Sequence, residues 1–174
     1  MWEKVARSGT KWNSSAGYPR RSAVKGVIEQ MFLGQYTHSI DTKGRLTVPS
    51  RFRELLEDGA YISQGFDQNL MVLTTTVFER ISSRVNEMSL TDPNARQLKR
   101  LIFATADRVE VDGSGRIRIP QFLRDVAGLD GDAVIIGAGG YFEIWSPQAW
   151  QPKATELQDT ETNAQRFATL ELSS

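Results

Sequence analysis

The chain of 174 residues has no cysteine and a single histidine, His38. Disulfides, thiolate metal sites, Cys–His nucleophiles and His-rich zinc cages are therefore excluded. Ser–His–Asp chemistry would rest on that one histidine, in an alternating stretch with no nucleophile-elbow motif beside it. No apolar run is long enough for a membrane-spanning helix. The basic residues Lys4, Arg7 and Lys11 are followed by no apolar segment of the signal-peptide kind. Net charge is missing too, since 21 Lys/Arg balance 21 Asp/Glu. The balance hides an asymmetry: residues 1–30 carry six Lys/Arg against Glu3 and Glu29, a net of +4, and the other 144 carry 15 against 19, a net of −4. A nucleic-acid role must then come from a local basic face, not from global attraction. With 40% apolar and 24% charged residues, the composition is that of a soluble, cytoplasmic globular protein that is not an enzyme. No metal or cofactor is implied.

What the sequence does have is an internal repeat. Asp41-Thr42-Lys43-Gly44-Arg45-Leu46-Thr47-Val48-Pro49 returns 71 residues later as Asp112-Gly113-Ser114-Gly115-Arg116-Ile117-Arg118-Ile119-Pro120. Phe52-Arg53 matches Leu123-Arg124, and Leu70-Met71-Val72-Leu73 matches Phe142-Glu143-Ile144-Trp145. Each copy reads as strand, turn, strand, short helix, strand, strand. Strands are predicted over 36–40, 45–48, 61–64 and 70–73, and again over 108–111, 116–119, 133–136 and 141–145. Gly44 and Gly115 supply the positive φ of a tight turn. Pro49 ends a strand, and Ser50 is placed to cap a helix over 51–56, with 121–127 as its counterpart.

Between the copies, Thr76 and Glu79 read as a capping box ahead of an apolar stripe of Phe78, Ile81, Val85 and Met88. Asp92-Pro93 opens a second helix that turns Leu98, Leu101 and Ile102 inward. Ser146-Pro147 opens a last short helix holding Trp150, and fraying is expected beyond about residue 155. The chain thus divides into a leader (1–30), a first repeat (35–77), a helical connector (78–105), a second repeat (106–149) and a C-terminal helix and tail (150–174). Four short strands cannot cover both faces of their own sheet. The expected fold is α+β, mainly β: the duplicated units intertwine into one pseudo-twofold β-barrel with flanking helices, both turns at one end.

The turns carry the chemistry. Arg45 and Arg116 each follow a glycine, and Asp41 and Asp112, four residues earlier, are placed to fix their guanidinium groups. A single such turn reads as a hairpin staple. Two equivalent basic turns, with Lys43, Arg51, Arg53, Arg118 and Arg124 nearby, suit the phosphate backbone and guanine edges of duplex DNA. An interaction protein would keep the same turns purely as staples. An enzyme would need an acid/base pair such as Asp107 with Glu110, which read better as solvated positions.

From Met31 to about Trp150, with D-x-x-x-R occurring twice, the chain resembles the MraZ family of bacterial transcriptional regulators, built from two SpoVT-AbrB-type domains. The resemblance implies a cytoplasmic, nucleoid-associated protein that forms ring-like homo-oligomers. It implies binding to direct repeats of a GTGGG-type hexamer upstream of its own gene, in the division and cell-wall cluster, with no membrane or small-molecule partner. The family's DNA-contacting arginines carry over to Arg45 and Arg116, the second turn having Ser114 where the first has Lys43.

The leader has no counterpart in the family pattern and reads in two ways. It is either a disordered basic arm adding non-specific DNA affinity, or operator DNA translated from a misplaced start, with Met31 the working one. Met1-Trp2-Glu3 forces GTGGGA from nucleotide 3. Val5-Ala6, Ser8-Gly9-Thr10 and Lys11-Trp12-Asn13 permit GTGGC, GTGGGA and GTGGAA from nucleotides 13, 23 and 33. A period of 10 nucleotides passes through all three reading phases, so it belongs to DNA; it is also about one turn of the duplex.

Overall fold

A computed structural model of the chain describes residues 30–168 and 170, so the leader readings, Gln30 apart, lie outside the described residues. The body that begins at Met31 is organised by its two glycine turns. Gly44 and Gly115 both sit at φ +74°, a conformation that L side chains rarely adopt. In each turn the glycine N–H donates to the aspartate carbonyl three positions back in the motif, Gly44 to Asp41 and Gly115 to Asp112, both at 2.8 Å. The chain then enters a three-residue strand.

The first copy supplies β1 (Gln35–Ser39), β2 (Arg45–Thr47), α1 (Ser50–Arg53) with a 3-10 turn at Glu54–Leu56, β3 (Ala60–Gln64) and β4 (Asn69–Thr74). Helices α2 (Thr75–Glu87) and α3 (Pro93–Thr105) follow. The second copy supplies β5 (Asp107–Val109), β6 (Arg116–Arg118), α4 (Gln121–Ala127), β7 (Asp132–Gly137) and β8 (Tyr141–Trp145), and α5 (Pro147–Gln158) and α6 (Thr160–Phe167) close the described chain. The architecture is α+β with antiparallel strands.

No closed barrel forms among the described residues. Six strands make one sheet in the order β1-β7-β8-β4-β3-β5, and β2 and β6 pair apart from it as a two-stranded ribbon. β2 and β6 have only three residues each, and β2 meets the end of β1 only through an isolated bridge between Leu46 and Ile40. The sheet order is unchanged when every strand of one copy is exchanged for its counterpart in the other, because β4 and β8 pair at the middle (Met71 opposite Glu143). The core is common to both copies: Phe52 of α1 packs 5.3 Å from Phe142 of β8, and both rings are buried. Removing such rings from water is the main favourable term for a body of this size.

Three expectations about helix ends are corrected. Helix α1 has Pro49 at its N-cap and no side-chain cap, with Ser50 already inside. Helix α2 starts two residues earlier than the Thr76 box implies: Thr74 accepts from the Val77 N–H at 3.3 Å, because the chain leaves β4 straight into the helix. Met88 at the end of the stripe is exposed. The chain also stays helical past residue 155, as far as Phe167. Ser146 caps α5, Asp159 caps α6, and Arg166 pairs with Glu156 at 2.6 Å, tying the two helices together. The Asp92-Pro93 opening of α3 is as expected, with Asp92 accepting from Asn94 N–H at 2.8 Å.

Candidate nucleic-acid interface

Each turn is built by one carboxylate. Asp41 Oδ1 accepts from the backbone N–H of Lys43 (3.0 Å) and of Arg45 (2.9 Å), and Oδ2 accepts from Arg45 Nε at 2.8 Å. Arg45 Nη2 lies 2.7 Å from the same oxygen. The second turn repeats this: Asp112 Oδ1 accepts from Ser114 N–H (2.9 Å) and Arg116 N–H (3.0 Å), and Oδ2 from Arg116 Nε (3.1 Å). Exchanging Lys43 for Ser114 leaves this geometry intact, since the bond comes from the backbone. The two turns also touch, because Arg116 Nη1 lies 3.6 Å from Asp41 Oδ2. Asp41 thus serves both arginines.

The hydrogen bond from the Arg45 side chain, helped by its backbone N–H, lowers the Asp41 carboxyl to about 2. For Asp112, desolvation pushes upward, but the side-chain and backbone bonds from Arg116 and the Ser114 N–H outweigh it, and the net shift is downward. Both carboxylates therefore stay ionised, and both arginines stay aimed, at neutral pH.

The ribbon decides which side chains face outward. Leu46 and Ile117 pair across β2 and β6 and are buried. Strand alternation puts their neighbours on the other face: Arg45 opposite Arg118, and Thr47 opposite Arg116. Directly opposed like charges destabilise an antiparallel pair; Arg45 has Asp41 as its counter-ion, but Arg118 opposite has no carboxylate partner among the described residues, so the face keeps positive charge that an anionic partner would meet. An open groove beside it is lined by Thr42, Lys43, Arg45, Arg118 and Arg124, with no carboxylate among them.

The structure thus gathers Arg45, Arg116, Arg118 and Lys43 on the ribbon and its turns. Arg51 is exposed on α1. Arg53 is turned instead toward the second copy, its guanidinium over Gly115, and Arg124 lies likewise over Gly44. That crossing was missed in the sequence, although the 71-residue offset relates Arg53 to Arg124 and Gly44 to Gly115. Asp107 and Glu110 are exposed, as solvated positions should be. Among the described residues no cluster of three potential metal ligands occurs, and no helix is long and apolar enough to cross a membrane.

The sequence model of the MraZ protein family matches residues 31–101 and again 102–171. The chain belongs to the MraZ family. It is similar to the transcriptional regulator MraZ of Thermomicrobium roseum, 42% identical over 141 residues, which cover 80% of this chain and 99% of that protein. It is similar also to the transcriptional regulators MraZ of Roseiflexus castenholzii (44% over 138 residues; 79% and 94% of the two chains) and Dictyoglomus turgidum (45% over 121 residues; 70% and 83%). These MraZ relatives are named as regulators and not as catalysts, in agreement with the reading that the chain is not an enzyme. The two matches to the MraZ model also agree with the internal repeat.

Proposed function

We propose that the chain is a cytoplasmic, nucleoid-associated transcriptional regulator that reads duplex DNA with the β2–β6 ribbon and its two turns. The observation that carries this reading is the outward face of the ribbon, where Arg45, Arg116 and Arg118 crowd together opposite buried Leu46 and Ile117. A two-stranded ribbon fits the major groove, and an arginine held in one direction can donate to O6 and N7 of guanine. Arg45 and Arg116 take that role, and Lys43, Arg51 and Arg118 meet phosphates. Turns serving only as staples leave the Arg45–Arg118 opposition without a reason.

The target is a set of direct GTGGG-type hexamers upstream of the protein's own gene, in the division and cell-wall cluster, bound by a ring-like homo-oligomer. In each subunit the two copies are related by a pseudo-twofold axis; the exchange symmetry of the strand order supports this. A gel-shift titration tests the reading, using a duplex with four direct GTGGGA repeats at 10-base-pair spacing against a shuffled duplex of the same length. Tight binding to the repeats and weak binding to the shuffled duplex is the expected result. Equal affinity for both would remove sequence-specific regulation and leave an interaction protein.

A further inference from the structure

The aspartates aim the two reading arginines, but the turns that carry them need holding as well. Arg53, at the end of α1 in the first copy, reaches the second copy's turn: any side chain added at Gly115 would overlap its guanidinium. Its Nε donates to the Val48 carbonyl at 3.0 Å, and the Val48 N–H donates to the Gly115 carbonyl at 2.9 Å. Gly115 is thus held by a strand end and covered by the arginine bonded to that strand end. The first turn is held and covered crosswise as well, but without a bond from the arginine Nε to the strand end. Arg124, in the last turn of α4, covers Gly44, where a Cβ would lie 2.9 Å from the Arg124 Cζ, and the Ile119 N–H donates to the Gly44 carbonyl at 2.8 Å.

Resting on the DNA-reading role argued above, the geometry assigns Arg53 and Arg124 as positioning residues that clamp the two turns crosswise, each copy's helix setting the other copy's turn. Glycine is required at both turns twice over, once for its positive φ and once for the space the guanidinium occupies. A planar guanidinium can lie flat on that bare backbone and still direct a donor at a carbonyl; an ammonium cannot. The clamps are unequal. Arg53 spends its Nε on Val48, whereas Arg124 donates through Nη2 to Gln121, which donates in turn to Asp125 at 2.7 Å. The first copy has Ser50 at the position of Gln121, too short to draw Arg53 the same way. The second turn is therefore the firmly fixed one, and the first, carrying Lys43 and Arg45, is the one that adapts to DNA.

The test is residue-resolved amide hydrogen exchange on the full chain, without DNA, for the wild type, Arg53→Lys and Arg124→Lys. Both variants keep the charge and lose the planar fork. The expected result is crosswise: in Arg53→Lys the amides of Ser114, Gly115 and Arg116 exchange about tenfold faster while those of Lys43, Gly44 and Arg45 do not, with the smaller and reversed pattern in Arg124→Lys. Loosening confined to a variant's own copy, or none, overturns the clamp. So does a uniform rise across the protein that follows a lower unfolding midpoint, since the arginines would then serve general stability only. A second arm measures affinity for the repeat and shuffled duplexes over a salt series. Arg53→Ala should reduce the repeat-to-shuffled ratio while leaving the salt slope unchanged. A slope lower by about one, with turn exchange unmoved, would make Arg53 a direct phosphate contact and overturn the proposal. A wild type that does not distinguish the duplexes defeats the regulator reading and leaves the exchange pattern to decide the clamp alone.

Discussion

Arg45 is held by one carboxylate among the described residues, whereas Arg116 is shared between Asp112 and Asp41. A guanidinium tied at more points is less able to turn toward a base edge. Arg45→Ala should therefore abolish specific binding, since one bidentate base contact is worth about 1–3 kcal/mol and its loss repeats in every bound subunit. Arg116→Ala should weaken binding less, because its turn has also lost the lysine. Titration of the repeat duplex with each variant checks the order, with size-exclusion chromatography confirming that assembly is unchanged; an unaffected Arg45→Ala would count decisively against the assignment. A pH series addresses the aspartates. The Asp41 carboxyl is depressed to about 2 by its bonds from Arg45, so the turn's electrostatic support is complete above the ordinary carboxyl range near 4 and fades as pH falls toward 2. Between pH 5 and 8 this group should leave DNA affinity flat. NMR titration of the Asp41 carboxyl checks it, and a midpoint near 4 would mean that the Arg45 bond is absent in solution. Asp41→Asn removes the charge at all pH values, and because Asp41 serves both arginines it should loosen both turns, where Asp112→Asn loosens one.

At the scale of elements, the ribbon works only if its inner face is anchored. Leu46 and Ile117 are 0% and 1% exposed, and each fixes the register that sends the neighbouring arginines outward. Truncation of either to alanine should cost about 2–5 kcal/mol by transfer and cavity terms. Urea unfolding checks this; a loss below about 1 kcal/mol would mean that the ribbon is anchored elsewhere. The alternation of Arg45-Leu46-Thr47-Val48 made the inner and outer faces legible in the sequence, and the repeat made the equivalence of the turns legible as well. Which strands would pair was not legible, because period-2 patterning gives a strand its faces but not its neighbours. β2 reads as the second strand of a local hairpin, and the structure keeps the closing rung of that hairpin, Ile40 with Leu46, but along its length β2 pairs with β6, 71 residues on. The helix caps failed for a similar reason. Thr74 and Thr76 are both good N-caps by type, and the end of β4 decided between them. The helices beyond residue 155 were missed because their support is an ion pair and a cap, Arg166–Glu156 and Asp159, with no buried stripe to advertise them.

For the whole molecule, charge sets the terms of binding. Residues 31–174 carry 15 Lys/Arg against 19 Asp/Glu, a net of −4, so one subunit on one hexamer gains little from general attraction to phosphate. On the proposed reading, affinity then comes from several subunits engaging several repeats, each later contact being intramolecular and favoured by effective concentration. A ring can do this only if the repeats face one side of the duplex, as a 10-base-pair period arranges. Inserting five base pairs between the second and third hexamers turns one pair away by about half a turn, at roughly 10.5 base pairs per turn. A rigid ring should lose most of its avidity on that duplex and retain more when a full turn is inserted, provided it spans the added length. All three duplexes are to be compared at one salt concentration, because salt alone shifts protein–DNA affinity steeply. Equal affinity for the native and half-turn spacings would sink the multivalent ring and leave each subunit binding its hexamer independently, with the ribbon face as the only source of affinity.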